Sequence, residues 1–89
     1  MELDECRDRI DRIDRDLAHM LELRMTIVAA VAAYKAEHGM AVYDADREAK
    51  VLDKIAAYMD DKAMIPYVQR IYQCIMDESK KFEEKRMEP

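Results

Sequence analysis

Arg24, Lys35, Arg47, Glu48, Ser79 and Glu83 place charge or a hydroxyl on helical stripes that are otherwise apolar. Arg24 fills the position between Met20/Leu21 and Ile27/Val28, and Lys35 continues the row of Val28 and Val31. Eleven residues separate the two cations, about 16 Å along a helix axis and within roughly 20° of one face. Two long cationic side chains on one inward row can converge on a small ligand, although each could instead snorkel to solvent. Arg47 and Glu48 stand one turn before Val51 and Leu52 and extend an inward face through charge. The plainer account is a first-turn pair, Glu48 favouring the helix dipole and Arg47 binding a nearby acid. Ser79 and Glu83 follow Tyr72 and Met76 on one edge of a third face, where a lone Ser is more often a packing residue than a ligand.

Arg7 is a different case. It lies 17 residues from Arg24, about 25 Å along the helix and roughly 100° around it, so the two cannot share a pocket within one chain. Across a two-fold axis, Arg7 of one copy can approach Arg24 and Lys35 of another. Its alternative is an exposed ion pair with Asp11 or Asp14.

Other chemistries find no support in the sequence. His19 and His38 lack metal-ligand spacing, no Gly-rich loop exists to cradle phosphate, and no Ser/His/Asp set is in prospect, so neither metal nor cofactor is expected. Cys6 and Cys74 show no CxxC spacing and fall on apolar positions, which predicts buried free thiols in a reducing compartment. The eight Met residues read as core filler.

The elements that must position the charges are helices. A chain of 89 residues with one Gly, two Pro and 39% charged side chains has little punctuation for strands, and its length allows a single domain over 1–89. The apolar residues Leu3, Cys6, Ile10, Ile13, Leu17, Met20/Leu21, Ile27/Val28, Val31 and Tyr34 keep three-and-four spacing until Gly39, predicting a helix over about 3–38. Asp44 suits an N-cap for a helix over about 45–60 with Val51, Leu52, Ile55, Ala56 and Met59 inward. Pro66 suits the first turn of a third, about 64–86, with Val68, Ile71, Tyr72, Ile75, Ser79 and Phe82 on one face and a solvated end from Lys80. The first helix would be about 53 Å long, against roughly 30 Å for the diameter of a compact globule of this size. Its overhanging stripe needs a cover, and a second copy in closed two-fold symmetry is the commonest one, which predicts a homodimer.

The net charge of −5, with both signs interspersed, disfavours nucleic acid or an anionic membrane surface as the main partner. The N-terminal residues are charged from Glu2 on, and no apolar run approaches the length of a signal segment or a membrane span, so a cytoplasmic location is expected.

The run Arg7-xx-Ile10-Asp11-x-Ile13-Asp14-xx-Leu17-xx-Met20-Leu21-xx-Arg24, then Lys35, then Asp44-x-Asp46-Arg47-Glu48, then Ser79, resembles the all-helical chorismate mutases found as N-terminal domains of bifunctional prephenate dehydratases and dehydrogenases. The likeness covers nearly the whole chain. It implies an all-α intertwined homodimer with shared active sites. The implied activity is the cofactor-free rearrangement of chorismate to prephenate in phenylalanine and tyrosine biosynthesis. It further implies that Arg24 and Arg47, with Arg7 from the partner subunit, bind the two substrate carboxylates, a task suited to guanidinium geometry. Lys35 would bind a carboxylate and the ether oxygen, Glu48 would accept from the ring hydroxyl, and the Asp44 backbone N–H and the Ser79 hydroxyl would complete the polar wall. Lys35, Glu83 and Arg47 would be the catalytic residues. Many members place Gln as the second donor to the ether oxygen, where this chain has Glu83. A carboxylate cannot donate, so the resemblance implies that Glu83 carries a proton in the occupied site. Two rivals share the pattern. An isochorismate pyruvate-lyase on the same fold would use a similar Arg/Lys set, and a non-catalytic dimerisation module would use inward charge to specify pairing. Pairing would match opposite charges, whereas Arg7, Arg24, Lys35 and Arg47 form a cationic set that a dicarboxylate ligand explains directly.

Overall fold

From Leu3 to His38 the sequence offers no Gly or Pro, and this stretch forms one uninterrupted helix of 36 residues, α1. Asp4 and Glu5 in its first turn and Lys35 and His38 in its last oppose the helix dipole with the favourable sign. It stops at Gly39, which adopts the left-handed conformation (φ 63°) and donates its N–H to the Lys35 carbonyl. Met40 N–H reaches the same carbonyl at 2.9 Å, closing a Schellman-type turn. The computed structural model describes all residues from Met1 to Pro89 and contains helices and turns but no strand.

α2, Ala45–Tyr58, starts at Asp44, whose Oδ1 accepts from the Arg47 N–H at 3.0 Å. Glu48, Val51, Leu52, Ile55 and Ala56 are its half-buried residues, followed by half-buried Met59 at its C-cap. α2 ends at Tyr58, short of the expected 60, because the following residues cap the next element: Asp61 Oδ1 accepts from Ala63 N–H at 2.9 Å and opens a 3₁₀ turn, Lys62–Met64. That turn runs directly into α3, Ile65–Met87, with Pro66 in its first turn. Gln69 on α3 donates to the Leu52 carbonyl at 3.1 Å and ties α3 to α2.

α3 packs against both α1 and α2. The face of α1 that meets α3 carries Leu21, Arg24, Met25, Val28, Ala29, Ala32 and Lys35, all half-buried or buried. The stripe read from the sequence as one face therefore divides, since Leu3, Ile10, Ile13, Leu17, Met20, Ile27 and Tyr34 are more than half exposed. Ile71 also departs from expectation. It is 59% exposed and shares an outward face of α3 with Tyr67 and Cys74, while Met76 takes the inward place. Cys74 is thus an exposed free thiol and Cys6 a half-buried one, not the buried pair expected.

The molecule extends 53 × 25 × 15 Å with a radius of gyration of 16.0 Å, against about 12 Å for a compact chain of this length. Up to Met20 α1 touches almost nothing, and only Cys6 on that stretch is half-buried. α1 is, by length and composition alone, long and apolar enough in one stretch to cross a membrane, contrary to the expectation of no such run, and almost none of that stretch is buried. Only Ala32, Met76, Ser79 and Glu83 are fully buried, and two of these are polar. Burial in this protomer therefore centres on polar side chains and not on a sealed apolar core.

Candidate active site

Those polar residues lie where α1, the loop after Gly39, the first turn of α2 and the second half of α3 enclose a cavity of about 400 Å³. Ile27, Val28, Val31, Val42, Val51 and Met76 form its apolar wall. Arg24, Lys35, Asp44, Arg47, Glu48, Ser79 and Glu83, separated by up to 59 positions in the chain, all line it, joined by Lys80. Arg7 does not. It stands exposed on the overhanging part of α1.

Each side chain is held by a specific contact. Arg24 Nη1 donates to Ser79 Oγ at 2.7 Å, and Ser79 passes its own proton to the Ile75 carbonyl at 2.7 Å. A hydroxyl has one proton to give, so in this arrangement Ser79 orients Arg24 and has no donor left over for a ligand. The Arg24 guanidinium also lies 5.8 Å from the centre of the Tyr72 ring.

Lys35 is gripped from two sides. The reversal at Gly39 brings the Val42 carbonyl back over the end of α1, where it accepts from Lys35 Nζ at 2.7 Å. From α3, Glu83 Oε1 lies 2.9 Å from the same ammonium, with the Glu83 side chain only 7% exposed. The approach is close enough for a strong Coulomb contact but is not aligned as a hydrogen bond, so Oε1 is buried without a hydrogen-bond partner.

Glu48 belongs to a second cluster. Its Oε2 lies 2.8 Å from Lys80 Nζ, and its Oε1 accepts from Gln73 Nε2 at 3.1 Å. Gln73 Nε2 also donates to Asp77 Oδ1 at 3.1 Å, and Lys80 Nζ is 3.3 Å from that oxygen. The hydrogen bond from Lys80 holds the Glu48 carboxyl below the usual Glu range, desolvation opposing it, and the same bond raises Lys80. Gln73, with Lys80, lowers Asp77. Arg47 is exposed at the rim.

Sequence reasoning missed Lys80, Gln73 and Asp77. Lys80 was assigned to a solvated tail, yet Met76, Lys80 and Glu83 follow i, i+4, i+7 spacing, which is the signal that would have placed it on the inward face. Positive and negative groups nearly balance. Arg24, Lys35, Arg47 and Lys80 face Asp44, Glu48 and Glu83, a local excess of one positive charge in a chain of net −5. No cluster of three or more His, Cys, Asp or Glu side chains with metal-holding geometry occurs.

The chain is 32% identical over 75 residues to the bifunctional chorismate mutase/prephenate dehydratase of Buchnera aphidicola subsp. Acyrthosiphon pisum (strain APS), a match covering 82% of this chain and 19% of that protein. It is 39% identical over 51 residues to the T-protein of Enterobacter agglomerans, covering 57% of this chain and 14% of that one. The chain thus spans less than a fifth of the length of either relative. The sequence pattern of chorismate mutase type II matches residues 6–84, the stretch that builds every wall of the cavity, and the chain belongs to that family.

Proposed function

We propose that this protein catalyses the rearrangement of chorismate to prephenate, in a homodimer whose two sites each take Arg7 from the other subunit. The observation that carries the reading is the convergence of Arg24, Lys35 and Arg47 with Glu48 and Glu83 on one small cavity. Chorismate carries two carboxylates, an ether oxygen and a ring hydroxyl, and the cavity supplies a partner for each.

The reaction is pericyclic. It needs no nucleophile and no net proton transfer, only a compact diaxial conformer and stabilisation of negative charge growing on the ether oxygen as its bond to carbon breaks. Arg24, oriented by Ser79, and Arg47, with Arg7 of the second copy, hold the carboxylates and so fix the conformer. Lys35, already aimed by the Val42 carbonyl, reaches a carboxylate and the ether oxygen. Glu48 accepts from the ring hydroxyl, and the Asp44 backbone N–H contributes a further donor.

Glu83 supplies the second donor to the ether oxygen once it carries a proton. In the free site it is the counter-ion of Lys35. An arriving dianion competes for that ammonium, and Glu83 Oε1, which lacks a directed hydrogen bond, takes up a proton and turns its O–H to the ligand. With Arg7 of the second copy and this proton, the local charge rises to about +3 by the same count, against the two negative charges of the substrate.

Loss of chorismate absorbance with purified protein at pH 5 and pH 7.5, with prephenate identified by its acid conversion to phenylpyruvate, tests the reading. Saturable turnover is expected, with kcat reduced by about two to three orders of magnitude in Lys35→Ala, the usual cost of one preorganised donor. A folded dimer that turns over no chorismate at either pH would overturn it.

A further inference from the structure

Lys80 is not among the residues that carry the family resemblance in the sequence analysis, yet its side chain is only 23% exposed and connects three walls of the cavity. It arises from α3, meets Glu48 of α2 at 2.8 Å, and places its ammonium 4.7 Å from the centre of the Tyr43 ring in the loop after α1. The neighbouring pair Lys81–Glu78, at 3.1 Å, gives the contrast: both side chains are about 70% exposed, and such surface pairs contribute little.

An ammonium has three N–H donors. That of Lys80 has three close neighbours, the carboxylates of Glu48 and Asp77 and the face of Tyr43. With its charge engaged by these groups, Lys80 acts on the site through Glu48. Lys80 and Gln73 engage one Glu48 oxygen each, which fixes the carboxylate plane from both ends and leaves a second lone pair on each oxygen.

We propose that Lys80 is a positioning residue that holds the Glu48 carboxylate for the ring hydroxyl of the substrate. The inference rests on the mutase reading above and adds to it a determinant of substrate binding. Because the contact to the hydroxyl exists in ground and transition states alike, its loss raises KM and spares kcat.

The test is steady-state kinetics on chorismate with the wild-type chain, Lys80→Met, Lys80→Arg, Glu48→Gln and the Lys80→Met/Glu48→Gln double variant. Lys80→Met keeps the stem and removes the donors. It is expected to raise KM about tenfold with kcat within about twofold, and Lys80→Arg to recover most of the loss. In the Glu48→Gln background Lys80→Met should have no further effect on KM, since the carboxylate it holds is gone. A role confined to folding would give the same increment in both backgrounds. A wild-type KM in Lys80→Met, or an undiminished effect in the Glu48→Gln background, would overturn the role of Lys80 while leaving the mutase reading standing. Absence of turnover by the wild-type chain would overturn the mutase reading and this inference with it.

Discussion

Lys35 and Glu83 show how one buried pair can serve both the empty and the occupied site. Empty, they neutralise each other at 2.9 Å, which avoids burying an isolated charge. In the proposed occupied site the ammonium serves the substrate, and a deprotonated Glu83 would oppose the charge growing on the ether oxygen. The direction of the pH dependence follows. In the proposed mechanism only a protonated Glu83 donates, so kcat/KM should fall as pH rises, and Glu83→Gln, which donates at every pH, should flatten that limb. A profile flat from pH 5 to 8, or one left unchanged by Glu83→Gln, would refute the donor role. On the acid side the proposed mechanism turns on Glu48. Its carboxyl lies below the usual Glu range because Lys80 donates to it, so its acceptor role persists as pH falls through that range and is lost only below it.

The turn from Gly39 to Asp44 links helix termination to the position of Lys35. Gly39 has φ 63°, and a Cβ there would meet nothing within 4 Å, so the requirement for glycine is conformational and not steric. Gly39→Ala should therefore cost about 1–2 kcal/mol of stability, the penalty for a left-handed L-residue, measurable by denaturant unfolding. A cost near zero would mean that the turn relaxes to another geometry, and the Val42 carbonyl contact to Lys35 would then be dispensable. The ends of α1 and the start of α2 were legible in the sequence because single residues set them: Gly39 for the stop, Asp44 for the start. Arg24, Lys35, Glu48, Ser79 and Glu83 were legible as candidates because polarity on an apolar stripe is conspicuous. The end of α2 was not, since Asp60 and Asp61 serve equally as a break or as a cap. Nor was the outward turn of Ile71: a helix with apolar residues on two faces does not disclose which one its own chain covers. Lys80 escaped because a Lys/Glu-rich helix end looks solvated until the opposing Glu48 is in place.

Half of α1, from Leu3 to Met20, stands clear of the rest of the chain, which is the observation behind the proposed dimer. Leu3, Ile10, Ile13, Leu17 and Met20 are 51–62% exposed along one helix, and monomeric proteins rarely leave so continuous an apolar stripe uncovered. In the proposed dimer, antiparallel pairing of two α1 helices about a two-fold axis would cover that stripe and carry the exposed Arg7 of each copy towards the cavity of the other. Shared sites have a consequence that separate sites lack. Arg7→Ala removes the visiting arginine, and Lys35→Ala removes a resident donor, so each variant alone disables both sites of its dimer. A mixed dimer concentrates both defects in one site and leaves the other intact. Random reassortment of equal amounts makes half of the dimers mixed, each with one good site, so unfolding and refolding the two variants together should recover about a quarter of wild-type activity. Activity no higher than the average of the two parents, in a mixture shown by mass to contain mixed dimers, would exclude a site built from both chains. Recovery near a quarter would assign Arg7 to the neighbouring site and explain why α1 is longer than the body of its own protomer.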